Sequence, residues 1–207
     1  STPDDPSRAI LQGIGELLRA AGVAAGAPWP DGLDVVHGST VATNAVLERR
    51  GAHVALVATA GFGDVLRIGR QTRRELYNFM VEDRRPLVEA DATFTVRERV
   101  AAAGDVLEPL CEPDVDALVP RLREAGAESV AICFLHSYVN AAHEQRAAAI
   151  LRAAGFTVSV SSSVLPEYRE FERWSTTAVN AYVTPVMDRY LGTLADRLGR
   201  ARLSIMQ

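Results

Sequence analysis

Apolar residues first recur at helical spacing. Ile10, Leu11, Ile14, Leu17 and Leu18 mark one face of a helix. Asp5-Pro6 gives that helix an N-cap and a proline at its first position, and Gly22 suits its end. Residues 26–32, with Pro28 and Pro30, read as a loop. Residues 33–37 are short and apolar enough for a strand. Gly38-Ser39-Thr40 follows, then a helix-compatible run over 41–50 that Gly51 terminates. Residues 53–59 are nearly continuously apolar, as expected of a strand covered on both faces. Gly61-Phe62-Gly63-Asp64 is a turn or a helix start.

Residues 67–92 are charged, include Pro86 and have no clear period, which predicts a long loop with one short helix. Residues 93–100 alternate, with Phe94, Val96, Glu98 and Val100 on one side. Ala103-Gly104-Asp105 then turns the chain back through Val106-Leu107 as a hairpin. Val115, Leu118, Val119 and Leu122 form a helix face closed by Gly126, and 130–135 is a buried strand. Asn140 caps a second helix, which turns Ala147, Ile150, Leu151 and Ala154 inward and ends at Gly155. Residues 156–160 make another strand. Strand, helix, strand with such short connections is a βαβ unit with parallel strands. Val179, Tyr182, Val183, Val186, Met187, Tyr190, Leu191, Leu194 and Leu198 make the last third helical, with Pro185 expected to kink or split it. Residues 203–206 look like the start of a strand, an expectation of a truncated chain. The fold class is α/β, with residues 93–160 as a candidate subdomain.

At 207 residues and 48 % apolar, the chain can bury a substantial core. A net charge of −4 gives no basis for nucleic-acid binding. The arginines from Arg67 to Arg74 are answered by Glu75, Glu82 and Asp83, the pattern of a solvated face. Cys111 and Cys133 are too far apart for a Cys-x-x-Cys pair, and Cys133 sits in an apolar run as a small buried hydrophobe. This fits a reducing cytoplasm. No apolar stretch approaches a membrane span, and the polar, proline-containing start is no signal peptide. No partner among membranes is therefore expected.

Four stretches carry candidate chemistry. In His37-Gly38-Ser39-Thr40-Val41-Ala42-Thr43-Asn44 a strand runs through a glycine turn into a helix start, where free N–H groups and two hydroxyls suit a phosphate or carboxylate. The same pattern also describes a plain N-cap. In Ile68-Gly69-Arg70-Gln71, Arg70 has the planar fork to clamp an anion and Gln71 an amide to hold an amide, or both are solvated loop residues. In Phe134-Leu135-His136-Ser137-Tyr138, His136 falls at the carboxyl end of a central strand, where open parallel sheets place ligands. It suits acid–base work or a strand-end hydrogen bond. Ser137 is expected on the opposite face. Finally, Glu170, Arg173 and Thr177 share a helix face after Ser161-Ser162-Ser163, either as an anion site or as an intrahelical ion pair. No Walker-type loop, Gly-x-Ser-x-Gly elbow or metal-ligand motif occurs.

Taken in order, these stretches resemble the N-terminal region of the hydantoinase A/5-oxoprolinase family, which also includes acetone carboxylase subunits. The matching text is the His37 to Ala45 block with Leu47-Glu48-Arg49, then Gly61-Phe62-Gly63-Asp64, Ile68-Gly69-Arg70-Gln71 and Phe134-Leu135-His136-Ser137-Tyr138. It continues through His143-Glu144, the 161–173 stretch, Asn180-Ala181-Tyr182 and Pro185. The resemblance implies a partial ribonuclease-H-like domain of the actin/sugar-kinase ATPase kind. That domain would carry a βαβ parallel sheet unit and a long C-terminal helical segment, with residues 1–207 a fragment of a larger chain.

It also implies an ATP-dependent hydrolase of cyclic amides, in which Mg²⁺-assisted phosphorylation of the amide oxygen precedes attack by water. His37 and His136 are then catalytic candidates, and Gly38, Ser39, Thr40, Asn44, Arg70, Gln71 and Arg173 are substrate- or phosphate-binding candidates, with no metal ligand among them. ATP and Mg²⁺ are expected in the full-length protein and not tightly bound to this stretch. The expected partners are a small cyclic amide, a hydantoinase B-type subunit or domain and the rest of the chain. The family's opening Asp-x-Gly-Gly-Thr strand and its second half are missing from these residues. Ser39 stands where the family more often has Thr, and Arg74 where it often has Pro. Alone, the stretch is expected to be inactive. A non-catalytic subunit-binding or regulatory module and a sugar-kinase-like phosphotransferase are the other readings.

Overall fold

A computed structural model of the chain describes residues 6–24, 30, 32–72, 77, 86–199 and 201–206. In chain order the elements are α1 (Pro6–Ala20), β1 (Asp34–Gly38), α2 (Val41–Leu47), β2 (Val54–Thr59), α3 (Val65–Ile68), β3 (Thr93–Val96), β4 (Arg99–Val100) and β5 (Val106–Glu108). They continue with α4 (Glu112–Glu124), β6 (Ser129–Cys133), α5 (Ala142–Ala153), β7 (Thr157–Val160), α6 (Ser161–Val164), α7 (Glu170–Leu198) and β8 (Arg202–Met206). Two compact units form, one from Ser1–Arg50 with Val186–Gln207 and one from Gly51–Pro185. The helix α7 contributes to both.

The larger unit is built on a four-stranded parallel sheet in the order β3-β2-β6-β7. Every residue of β2 and of β6 is buried, which explains their unbroken apolar runs. One face packs Ala55, Val57, Val130 and Ile132 against Val115, Leu118 and Leu122 of α4 and Ala147 and Leu151 of α5. Each fully buried leucine here contributes roughly 1.5–3 kcal/mol of hydrophobic stabilisation. On the other face the first half of α7 reaches the sheet: Asn180 Nδ2 donates to Ser159 Oγ at 2.9 Å, and Thr177 lies beside Cys133. The β6-α5-β7 unit is parallel, as predicted. Gly126 and Gly155 adopt φ of 67° and 93° to close α4 and α5, which favours residues without a Cβ.

Local differences from the sequence reading have physical reasons. The alternating segment 93–100 divides. β3 pairs with β2, whereas β4 leaves the sheet to form a hairpin with β5. The strand expected over 130–135 ends at Cys133, and residues 135–139 form a turn. Asn140 is not the N-cap of α5; it precedes the cap residue Ala141 and accepts the Ala142 N–H at 3.1 Å. Pro185 does not split α7. Burial of Ala181, Tyr182, Tyr190 and Leu194 on either side of it outweighs one lost backbone hydrogen bond. Gly51 does not end a helix. A Cβ there would stand 2.1 Å from the Tyr182 ring, so its role is close packing.

In the smaller unit, β1 and β8 pair in parallel from Asp34↔Arg202 to Gly38↔Met206. Helix α1 ends at Gly22, where Val23 N–H reaches Leu18 O at 2.9 Å and Gly22 N–H reaches Arg19 O at 3.0 Å. Helix α2 stops at Leu47 rather than running to residue 50. Arg49 takes the left-handed position with φ of 53°, and Arg50 N–H bonds to Ala45 O at 2.9 Å. The expected Asp5 cap, most of the loop over 26–32, and the stretches 73–76 and 78–85 lie outside the described residues. Of the expected loop over 67–92, the described part holds the end of the short helix α3.

Candidate functional site

The polar chemistry of the larger unit gathers where its four strands end. Thr59 closes β2, Glu98 follows β3, Phe134 follows β6 and Ser161 follows β7. Glu98, Thr59, Glu144 and Ser161 are all fully buried. Buried polar groups in low dielectric must find partners, and these do so by linking strand ends in series. Thr59 Oγ1 donates to Glu98 Oε1 through a short hydrogen bond and accepts the Leu135 N–H at 2.9 Å. Glu144 Oε1 accepts the Phe134 N–H at 2.7 Å and the Ser161 hydroxyl at 2.7 Å, while Oε2 accepts the Ser162 N–H at 2.8 Å. Ser137 and Ser161 hydroxyls meet at 3.0 Å.

The first turn of α5 ties this band together. His143 and Glu144 are neighbours, yet His143 Nδ1 lies 2.8 Å from Glu98 Oε2, on the β3 side, while Glu144 serves β6 and β7. A carboxylate in the first helical turn is also favoured by the helix dipole. Arg173 supplies positive charge under the band. It is fully buried and donates to Ser161 Oγ (3.2 Å), Glu167 O (2.8 Å) and Phe134 O (3.1 Å), with Glu170 at 3.6 Å and the Tyr138 ring 5.2 Å away. All three guanidinium nitrogens are thus engaged. Thr177 Oγ1 bonds back to Arg173 O at 2.7 Å. The intrahelical form of the Glu170, Arg173, Thr177 motif is the one found, extended into a buried network.

His136 lies in the turn after β6 with φ of 55°, not on the strand, so the face alternation expected for Ser137 does not apply. Its Nδ1 is 2.8 Å from Val100 O. A carbonyl only accepts, so Nδ1 carries a proton and Nε2 is the ring's remaining nitrogen. Left-handed backbone in a non-glycine residue, held by surrounding bonds, is a feature of functional turns. Arg70 is exposed and donates to Glu172 Oε1 at 2.7 Å, with its guanidinium 6.0 Å from the Phe171 ring. Glu172 lies below the usual carboxylate range, first through its backbone hydrogen bond and then through Arg70. Gln71, exposed, follows with φ of 54°.

In the smaller unit His37 Nε2 stands 2.5 Å from the Tyr190 hydroxyl. Gly38 ends β1, and its Cα side lies against the Met206 methyl. Ser39 Oγ accepts the Val41 N–H at 3.1 Å, and Asn44 Nδ2 donates to Thr40 Oγ1 at 3.4 Å. Thr40 is the N-cap position of α2, with no side-chain cap bond. The described site groups therefore divide between units: His37 to Asn44 in one, Arg70, Gln71, His136 and Arg173 in the other.

Thr59 and Glu98 are not among the sequence candidates, His143 and Glu144 enter there only through the family resemblance, and Ser161 only as part of the run before Glu170. A signal existed: Glu98 occupies an inward position among Phe94, Val96 and Val100, where a carboxylate needs a partner. Tyr190 counted only as an apolar helix position. Burial pushes the Cys133 thiol well above its ordinary range, with Glu144 adding to the shift, so it stays protonated. A surface cavity of about 280 Å³ lined by His53, Asp91, Phe94 and Arg121 lies at the opposite, amino ends of the strands. Among the described residues no three His, Cys, Asp or Glu side chains group as a metal site, and no helix is long and apolar enough to cross a membrane.

Residues 1–155 match the family model described as the hydantoinase/oxoprolinase N-terminal region. The chain belongs to the hydantoinase/oxoprolinase family. Caprolactamase subunit alpha of Pseudomonas jessenii is 37 % identical over 195 residues, covering 92 % of this chain and 28 % of that protein. The 5-oxoprolinase of Saccharomyces cerevisiae is 31 % identical, over 96 % of this chain and 18 % of its own length. The crystal structure of the ATP-dependent caprolactamase from Pseudomonas jessenii superposes with a TM-score of 0.86 at 34 % identity, covering 99 % of this chain and 30 % of that one. This chain thus spans less than a third of the length of these relatives. The α/β class with a parallel sheet and a long C-terminal helix, expected from the sequence, is the fold shared with that caprolactamase structure.

Proposed function

We propose that this chain is part of an ATP-dependent enzyme that opens a cyclic amide, and that it forms one wall of the active site. The observation that carries this reading is the hydrogen-bonded band across the carboxyl ends of four parallel strands, the place where open α/β sheets hold their ligands. The relatives named a caprolactamase and a 5-oxoprolinase support this reaction class, since their names denote ring-amide substrates. A ring amide is a poor electrophile, and ATP, when bound, activates its oxygen by phosphorylation before water attacks.

His136 is a proton-transferring group of this wall, with Nδ1–H anchored on Val100 O and Nε2 left for the substrate. Arg70 and Gln71 hold the substrate, Arg70 by exchanging Glu172 for an anionic oxygen. Arg173 is a positioning residue that fixes the Phe134 carbonyl and the Ser161 hydroxyl rather than touching ligand. Within the smaller unit His37, Gly38, Ser39, Thr40 and Asn44 form an anion-binding stretch of their own. The activity needs the remaining chain and a hydantoinase B-type subunit, and these residues alone do not turn over. Alanine at His37, Arg70 or His136 in the full-length protein is expected to lower kcat/KM at least about tenfold, roughly 1.4 kcal/mol of transition-state stabilisation. Retention of full activity by all three variants would remove these assignments.

A further inference from the structure

We infer that His143, oriented by the buried carboxylate of Glu98, is the general base of the hydrolytic step. The inference rests on the reading of the strand ends as an active-site wall. Two imidazoles are hung on the short stretch 98–100, each by Nδ1: His136 on Val100 O at 2.8 Å and His143 on Glu98 Oε2 at 2.8 Å. Their anchors differ. Proton uptake by His136 is met by a neutral carbonyl, whereas the positive charge created on His143 is met by a carboxylate. Glu98 is completely buried, and its other oxygen is already fixed by Thr59. It therefore cannot swing away, and it sets both the tautomer and the plane of the His143 ring. A base whose far nitrogen is locked by an acidic group, with its near nitrogen aimed outward, is the arrangement that activates a water or hydroxyl.

The His143 side chain is 12 % exposed, and no described residue bonds to its Nε2. The ring is thus mostly enclosed but open at one edge. As the water oxygen bonds to the carbon of the phosphorylated amide, its O–H bond breaks, the proton passes to Nε2 and the C=N electron pair moves onto the ring nitrogen. The His143 imidazolium returns that proton to the ring nitrogen, then carries the second O–H proton to it as the C=O bond forms and the C–N bond breaks, leaving an amine and an acyl phosphate. A second water, deprotonated in the same way, displaces phosphate from the acyl carbon to give the carboxylate. The nearby cations are committed elsewhere, Arg97 to Asp114, Arg99 to Ala60 O at 3.0 Å and the Phe62 face, and Arg146 to Glu112, which leaves the Glu98–His143 pair to itself.

Two experiments separate this inference from the functional reading. In the full-length protein with its partner subunit, supplied with ATP and 5-oxoproline, caprolactam or hydantoin, His143→Ala should lower kcat about a hundredfold or more with KM within about threefold. Free imidazole should restore at least about a tenth of the lost rate. Glu98→Gln should lower kcat with no imidazole rescue, and thermal melts of both variants check folding. Separately, carbethoxylation of the 207-residue chain by diethyl pyrocarbonate, read by peptide mass, should modify His143 and do so with altered rate in Glu98→Gln. Wild-type protein that opens none of these rings would sink the functional reading, and the labelling would still judge His143. Turnover that survives His143→Ala within about threefold, or a His143 ring that resists the reagent while His136 reacts, would overturn the inference and leave the functional reading standing.

Discussion

Replacing Glu144 by Gln tests whether the buried band holds the larger unit together. The carboxylate uses both oxygens: Oε1 accepts from Phe134 N–H and Ser161 Oγ, and Oε2 accepts from Ser162 N–H. A glutamine oxygen can keep the first pair, but its NH₂ group then faces the Ser162 N–H, donor against donor. An unsatisfied buried N–H costs about 1–3 kcal/mol, and each of the two retained bonds loses about 1 kcal/mol of charge assistance. Arg173 is left buried with Glu170 at 3.6 Å as its remaining carboxylate neighbour. The expected loss is roughly 3–5 kcal/mol, a large share of a domain's stability. Urea unfolding followed by tryptophan fluorescence reads it directly, since Trp174 is fully buried beside Arg173. Glu124→Gln, on the surface, is the control and should change stability by less than about 0.5 kcal/mol. Glu144→Gln combined with Arg173→Met should be non-additive by about 1 kcal/mol or more. A Glu144→Gln variant within about 0.5 kcal/mol of wild type, or strict additivity, would refute the claim that these groups form one network.

Three further outcomes follow from particular contacts. Gly51→Ala places a Cβ 2.1 Å from the Tyr182 ring and should cost about 1–3 kcal/mol by overpacking, measured as a lower urea midpoint; an unchanged midpoint would contradict the packing role. Arg97 holds the Asp114 carboxyl far below the usual range through paired hydrogen bonds of 2.8 Å, so this group's stabilisation is complete above the unfolded value of about 3.9 and fades as pH falls through the folded value. Asp114→Asn should therefore flatten the acid limb of a pH–stability profile, and an unaltered limb would argue against the pair. In the native chain iodoacetamide should spare Cys133, which is buried with its thiol kept protonated, and urea should open it to labelling; rapid native labelling at Cys133 would contradict its burial.

Long apolar patterns made the architecture legible. The buried strands β2 and β6, the helices α4 and α5 with their closing glycines, and the parallel βαβ unit all follow from periodicity. Boundaries set by tertiary contacts did not. Arg49 in a left-handed position ends α2 ahead of Gly51, and packing on both sides carries α7 through Pro185. The site was legible as short motifs, yet its organisation was not. Thr59, Glu98 and Ser161 are far apart in the chain and meet only because four parallel strands end side by side. Glu98 announced itself weakly, as a carboxylate in an inward-facing register. His143 and Glu144 stood in text resembling the family, but their opposite reach, one to β3 and one to β7, depends on the sheet order.

The central claim is that these residues wall an active site where ATP drives the opening of a ring amide. Its most direct test is the coupling of ADP release to ring opening by the full-length protein with its partner subunit, across 5-oxoproline, caprolactam and hydantoin. The account predicts ring opening with at least one of them that stops without ATP and falls at least about tenfold in His136→Ala. ATP-independent opening, or ATP hydrolysis that none of the three rings stimulates, would contradict it.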